Sequence, residues 1–389
     1  MNRKFLSLSL MMALALGASA CRKKSSDEPI KPNPVAPAPS NNGGTTAGGS
    51  NNGSNGNTTT GENNSGNNNG NGGSTNAGNT NSGNAQESNA SVTLTVPAGK
   101  SVTINGKTYT GNSQNKIFLD DSFKTLKISG NDLPSLEISG NNLTEVQIKE
   151  EMAKLTTLHI SNSGKDSKKI VKLDLAAAKN LNTLVVADYN IGILDLSDLS
   201  NIVKLQIGSL GDMSETLVDQ VVLPRNNHIE DLRLLRVPNL TDDKIKLEQL
   251  TSLKTVRITS TMIKKFIFKS PTLETFTSNA PTGGGIHDLI LADAQALKSL
   301  TLYNMTFDQV TINNAPRFVG LSKRKDGASL GLSVKRLNLT GVNKDAGVRT
   351  LELINSADLE ELTAPGLGLT LGQGVLSKFT KLNSSNTRL

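Results

Sequence analysis

The sequence predicts a mainly-β solenoid of short parallel strands, with a few short helices, after a long linker that has nothing to bury. Three observations lead there. A phrase of the form L-x-x-L-x-I recurs along most of the chain, its spacing alternates between ten and eleven residues, and residues 22–89 are almost devoid of apolar side chains. Each L-x-I core is a two-residue alternation, the pattern of a strand with one buried face.

Residues 1–20 are expected to be a signal peptide. Arg3 and Lys4 make a basic start, and Phe5 to Leu16 make an apolar run too short to span a bilayer as a stable helix. Ala18-Ser19-Ala20 lead into Cys21, the single cysteine of the chain. These residues resemble a bacterial lipobox, with Ala18 at the position usually held by a large aliphatic residue. The resemblance implies that Cys21 is the lipid-attachment site and the mature N-terminus. A lone cysteine has no disulfide partner within its own chain, which agrees with acylation. Two or more acyl chains anchor stably where one does not. Arg22 stands where an Asp would resemble an inner-membrane retention signal, so the implied anchor is the outer membrane of a Gram-negative envelope. Simple secretion after the A-x-A site is the alternative.

Residues 21–90 then form a tether. Its first part is charged and proline-rich, and the rest is an Asn/Gly/Ser/Thr tract such as NNGSNGNTTTGENNSGNNNGNGG. Ordering such a segment costs conformational entropy with no apolar burial to offset it. A coil of this length has an r.m.s. reach of roughly 45 Å.

Residues 91–122 follow as an N-terminal β cap. SVTLTVPAGKSVTINGKTYT alternates on either side of Pro97-Ala-Gly99 and Asn105-Gly106. A solenoid must cover its first open edge.

Residues 123–362 carry the repeat. Phe123-Lys-Thr-Leu126-Lys-Ile128, Leu133-Pro-Ser-Leu136-Glu-Ile138 and Leu143-Thr-Glu-Val146-Gln-Ile148 open it. From Leu173 the middle positions step to Leu184, Leu194 and Leu205; from Leu289 they step to Leu300, Val310 and Leu321. Unequal half-units therefore alternate, and the full period is about 21 residues, within the leucine-rich-repeat range. The chain resembles bacterial surface leucine-rich-repeat proteins in which each turn holds two L-x-x-L-x-L halves on opposite sides of the coil. That resemblance implies a right-handed solenoid. Asn131 and Asn141 match the repeat asparagine; the equivalent position later becomes Ala178, Tyr189, Leu199, Val237, Thr261, Met305 and Ala315, which suggests an apolar corner. Gly208 to His228 and Thr241 to Leu250 interrupt the spacing and could each hold a short helix, with Thr241-Asp-Asp as a cap for the second. Residues 363–389 are expected to be a C-terminal cap and tail.

Chemistry is sparse. His159, His228 and His287 lie in separate repeats without metal-ligand spacing, and no catalytic or nucleotide-binding motif occurs. No cofactor, metal or catalytic residue is assigned, and the chain is expected not to be an enzyme. Asp120-Asp121, Glu150-Glu151 and Asp242-Asp243 flank candidate turns, whereas glycosidase carboxylates face each other across a cleft. The formal charge of +7 includes Arg3 and Lys4, leaving roughly +5 spread over the folded part. With no Trp and three Tyr, that dilute charge argues against nucleic acid.

Binding surfaces are therefore sought among outward positions. Most are polar, but Val185, Ile267 and Ile290 are apolar and nominate a patch. Lys323, Arg324 and Lys325 lie in a basic, glycine-containing insertion that could meet an anionic glycan or headgroup. The expectation is an envelope-anchored, monomeric binding protein at the cell surface, with a protein or glycan ligand. A polysaccharide-active β-solenoid enzyme and a structural periplasmic lipoprotein remain the alternatives.

Overall fold

The computed structural model describes residues 90–389, apart from 131, 150–151, 163–168, 171, 210–214, 281–284, 319–331, 343–350, 354–358, 365–368, 372–380 and 384–389. The chain is a parallel β-solenoid of about eight turns. One side is a ten-stranded sheet. Its repeat strands run in order through Ser135–Gly140, Thr157–Ser161, Thr183–Ala187, Lys204–Gly208, Asp231–Val237, Thr255–Thr261, Thr275–Asn279 and Ser299–Tyr303. The opposite side is broken into three sheets of five, three and six strands.

The ten–eleven alternation is what feeds these two sides. Leu184 and Leu205 lie on the ten-stranded sheet, while Leu194, between them in sequence, lies on the three-stranded sheet opposite. Leu300 and Val310 divide in the same way. Both Leu126 and Ile128 of T-L-K-I-S are buried while Lys127 between them is exposed, and the same pattern holds through the ladder. Burying each Leu or Ile contributes about 1.5–3 kcal/mol. Phe266 of one side meets Phe276 of the other across the core, ring centroids 4.9 Å apart, and Phe268 lies beside Phe266 at 5.5 Å.

Corners join the sides, and they are built with residues in the left-handed region. Asp188, Arg236, Ser260 and Asn304 end strands of the ten-stranded sheet with φ of 62°, 56°, 50° and 55°; Asp293 and Asn314 do so opposite. Asn and Asp tolerate this conformation best. The next residue turns inward: Tyr189, Val237, Thr261, Met305 and Ala315 are all buried, as are Ala178 and Leu199. The corner is thus apolar. Asn141 has a buried side-chain oxygen without a hydrogen-bond partner, and Asn131 lies outside the described residues.

Of the two expected helices, one is a single 3-10 turn, and the described residues of the other hold a strand. The Gly208–His228 stretch contains the strand Leu217–Val222, which pairs in parallel with Asn190–Asp195. In the second stretch the only helical turn among the described residues is the 3-10 segment Leu247–Gln249. Asp242 does not cap it. Its carboxylate accepts from the backbone N–H groups of Lys264 and Lys265, 3.0 Å each, in the next turn. The reason is geometric: a one-turn segment beside a sheet edge leaves the edge strand, rather than a helix, with donors to satisfy.

The N-terminal strands close the first turn. Val92–Thr95 pairs antiparallel with Ser135–Gly140, and Ser101–Ile104 pairs antiparallel with Thr125–Ser129. At the other end the parallel ladder extends past residue 362, from Glu361–Thr363 to Lys381–Asn383.

Candidate functional site

Register decides which outward residues become neighbours. On the six-stranded sheet Lys265–Lys269 pairs with Asp288–Ala292, which sets Ile267 beside Ile290. Ile267 is 56% exposed, and Lys265 and Lys269 beside it on the same strand face are exposed too. Ile290 is half-buried, and Thr311, next in the row, is buried and accepts a hydrogen bond from Gln309. The apolar pair therefore sits at the first strands of its sheet, whose outer edge is bordered by Asp242 and the Leu247–Gln249 turn.

Val185 is not part of that patch. It lies on the ten-stranded sheet, half-buried, between His159 and Gln206. Lys323, Arg324, Lys325 and Cys21 lie outside the described residues, as do Glu150 and Glu151.

Two further apolar side chains are exposed: Ile193, at 58%, and Met262, at 44%. Ile193 had a legible signal, because it is the apolar residue directly before the middle leucine of Ile191-Gly-Ile-Leu194. It borders a groove at the break between the five- and three-stranded sheets, which Lys172, Asp174, Asp195 and Asp198 also line. Two of the carboxylates there have structural partners. Asp174 accepts from Gln147 Nε2 at 2.8 Å and lies 3.7 Å from Lys172, and Asp195 accepts from the backbone N–H of Ser197 at 3.0 Å. Among the described residues, no cluster of His, Cys, Asp and Glu has the arrangement to hold a metal ion.

On the ten-stranded sheet the middle outward row reads Glu137, His159, Val185, Gln206, Arg233, Arg257, Thr277, Thr301. Two arginines are register partners. Arg233 is clamped by Asp231, with Nε and Nη2 donating at 3.0 and 2.9 Å. Arg257 has no ion-pair partner among the described residues, and its Nε is buried without an acceptor. Nothing in the sequence alone places Arg257, 24 residues on, at the side of Arg233.

Exposed ion pairs tie consecutive turns. Lys154 reaches Asp132 at 2.7 Å, Lys254 reaches Glu230 at 2.8 Å, Lys298 reaches Glu274 at 2.6 Å and Lys335 reaches Asp308 at 2.8 Å. The bonded lysines hold the carboxyls of Asp132, Glu274 and Asp308 below their ordinary values. Burial pushes the Tyr189 phenol well above its ordinary value; the hydroxyl donates to the Gly140 carbonyl at 2.6 Å. None of these groups is poised as an acid or base near neutral pH.

The chain matches no protein-family model, no curated protein and no solved structure.

Proposed function

We infer that this chain is a cell-envelope-anchored, non-catalytic binding protein of the leucine-rich-repeat surface type, an adhesin or receptor that presents one solenoid face to a protein or glycan. The lipid anchor at Cys21 and the tether of residues 21–90 hold that face away from the outer membrane. The observation that carries the reading is the side-by-side placement of Ile267 and Ile290 on the outer face of the six-stranded sheet, with Ile267 exposed between two exposed lysines. An exposed apolar pair with a cationic rim suits a surface that must stay soluble until a partner covers it.

The test combines topology and affinity. Protease shaving of intact cells should remove the repeats without lysis, and purified protein should bind matrix proteins or arrayed glycans in a manner lost in Ile267→Asp. Repeats protected until lysis place the domain in the periplasm and favour the structural-lipoprotein alternative. The groove lined by Asp174, Asp195 and Asp198 motivates one further reading, hydrolysis of a polysaccharide. Release of reducing ends that disappears in Asp174→Asn would support it over pure binding.

A further inference from the structure

We propose that Arg233 and Arg257, on the ten-stranded sheet, bind the acidic groups of a linear polysaccharide lying along the solenoid axis. This names a ligand class for a solenoid face that is separate from the Ile267–Ile290 edge.

The argument begins with a cost. Like charges directly opposite on neighbouring strands destabilise a sheet, and Arg233 and Arg257 are register partners, about 4.8 Å apart at the backbone. Elsewhere this solenoid sets opposite charges across turns, as in Lys254–Glu230 and Lys298–Glu274. Here, by contrast, two guanidiniums are register partners, and Asp231 of the neighbouring row bonds only one of them. Asp231 occupies the Nε–Nη2 edge of Arg233, which fixes that side chain and offsets its charge. Arg257 is left as the uncompensated cation. Its Nε is covered and unpaired, so the side chain is packed down rather than freely solvated, and it loses little rotamer freedom when a ligand arrives.

Neighbouring side chains indicate what kind of anion fits. Thr255 and Thr275 stand beside the arginines with their hydroxyls 3.4 Å apart, and Thr277 continues the arginine row. A planar guanidinium takes a carboxylate or sulfate in two parallel hydrogen bonds, and a flat array of hydroxyls matches sugar hydroxyls. One uncompensated arginine is a weak lure for a polyphosphate, which needs many cations along its backbone.

The experiment measures binding of the mature full-length protein to polygalacturonate, dextran sulfate, neutral dextran and single-stranded DNA at low ionic strength. Both acidic glycans should bind and neutral dextran should not. Arg257→Gln should weaken binding at least tenfold, and Arg257→Lys should lose most of it, since an ammonium cannot form the fork. The melting temperature of Arg257→Gln should be unchanged or higher, because the like-charge contact is relieved. A purely structural role would lower it. Undiminished glycan affinity in Arg257→Gln overturns the inference, as does equal binding of neutral dextran or of DNA. Ile267→Asp should leave acidic-glycan binding intact. Loss of ligand binding in Ile267→Asp, with none in Arg257→Gln, overturns the arginine site while leaving the apolar edge standing.

Discussion

Replacing Gly208 by alanine puts a methyl group where the protein has a carbonyl oxygen. Gly208 ends the strand that lies between those of Val185 and Arg233, and its φ is +91°. A Cβ built there lies 1.7 Å from the carbonyl oxygen of Leu235. Ordinary contact begins near 3.4 Å, so the two backbones must part by well over an ångström. The left-handed conformation alone costs an L-residue about 1–2 kcal/mol. Parting the strands also weakens the ladder between them, at about 1 kcal/mol per hydrogen bond lost. With two such bonds lost, the total is about 3–4 kcal/mol. Gly106→Ala is the control, because Gly106 has φ of +83° with open space around it and should lose only the conformational part. Urea unfolding followed by far-UV circular dichroism compares them, and solenoids can lose turns in stages, so the early transition is the one to score. Equal losses for the two variants would refute the close approach of Leu235 to Gly208.

Other outcomes can be checked with the same equipment. Tyr189→Phe leaves the Gly140 carbonyl buried without its donor and should cost about 1–3 kcal/mol in the same unfolding assay; a neutral result would mean another group satisfies that carbonyl. Phe266→Ala should cost about 3–5 kcal/mol because it removes the ring that contacts both Phe268 and Phe276. Ile267→Asp, on the exposed face, should stay within about 0.5 kcal/mol of the parent. Asp132, Glu274 and Asp308 have depressed carboxyl pKa values, so their contribution is full above the unfolded values and is lost as pH falls through the folded ones. Melting temperature should therefore hold from pH 7 to about 5 and fall below about 4. Lys298→Gln should flatten part of that fall, and an unchanged descent would remove the Glu274 pair from the explanation.

The strands were legible because their signal is local. Leu184, Leu194 and Leu205 declare buried positions by alternation, and unequal steps of ten and eleven already imply two kinds of half-turn. The apolar corner was legible too, since Ala178, Tyr189 and Val237 replace a polar repeat position. Of the helices expected in the interruptions, the described residues show only the 3-10 turn Leu247–Gln249, because propensity over ten residues is weak against a sheet edge that offers backbone partners. Leu217–Val222 took the strand pairing on offer beside Asn190–Asp195.

By itself the sequence determined the period, the inward face of each strand and hence the solenoid, since these depend only on which side chains leave water. Only the tertiary structure decided neighbours on the outer faces. Outward residues carry no common chemical mark, and their partners depend on how many residues each intervening corner and insertion consumes. Thus Ile267 and Ile290 meet while Val185 faces the other way. Arg233 and Arg257 come to stand side by side because a 24-residue turn returns the chain to the same register one strand along.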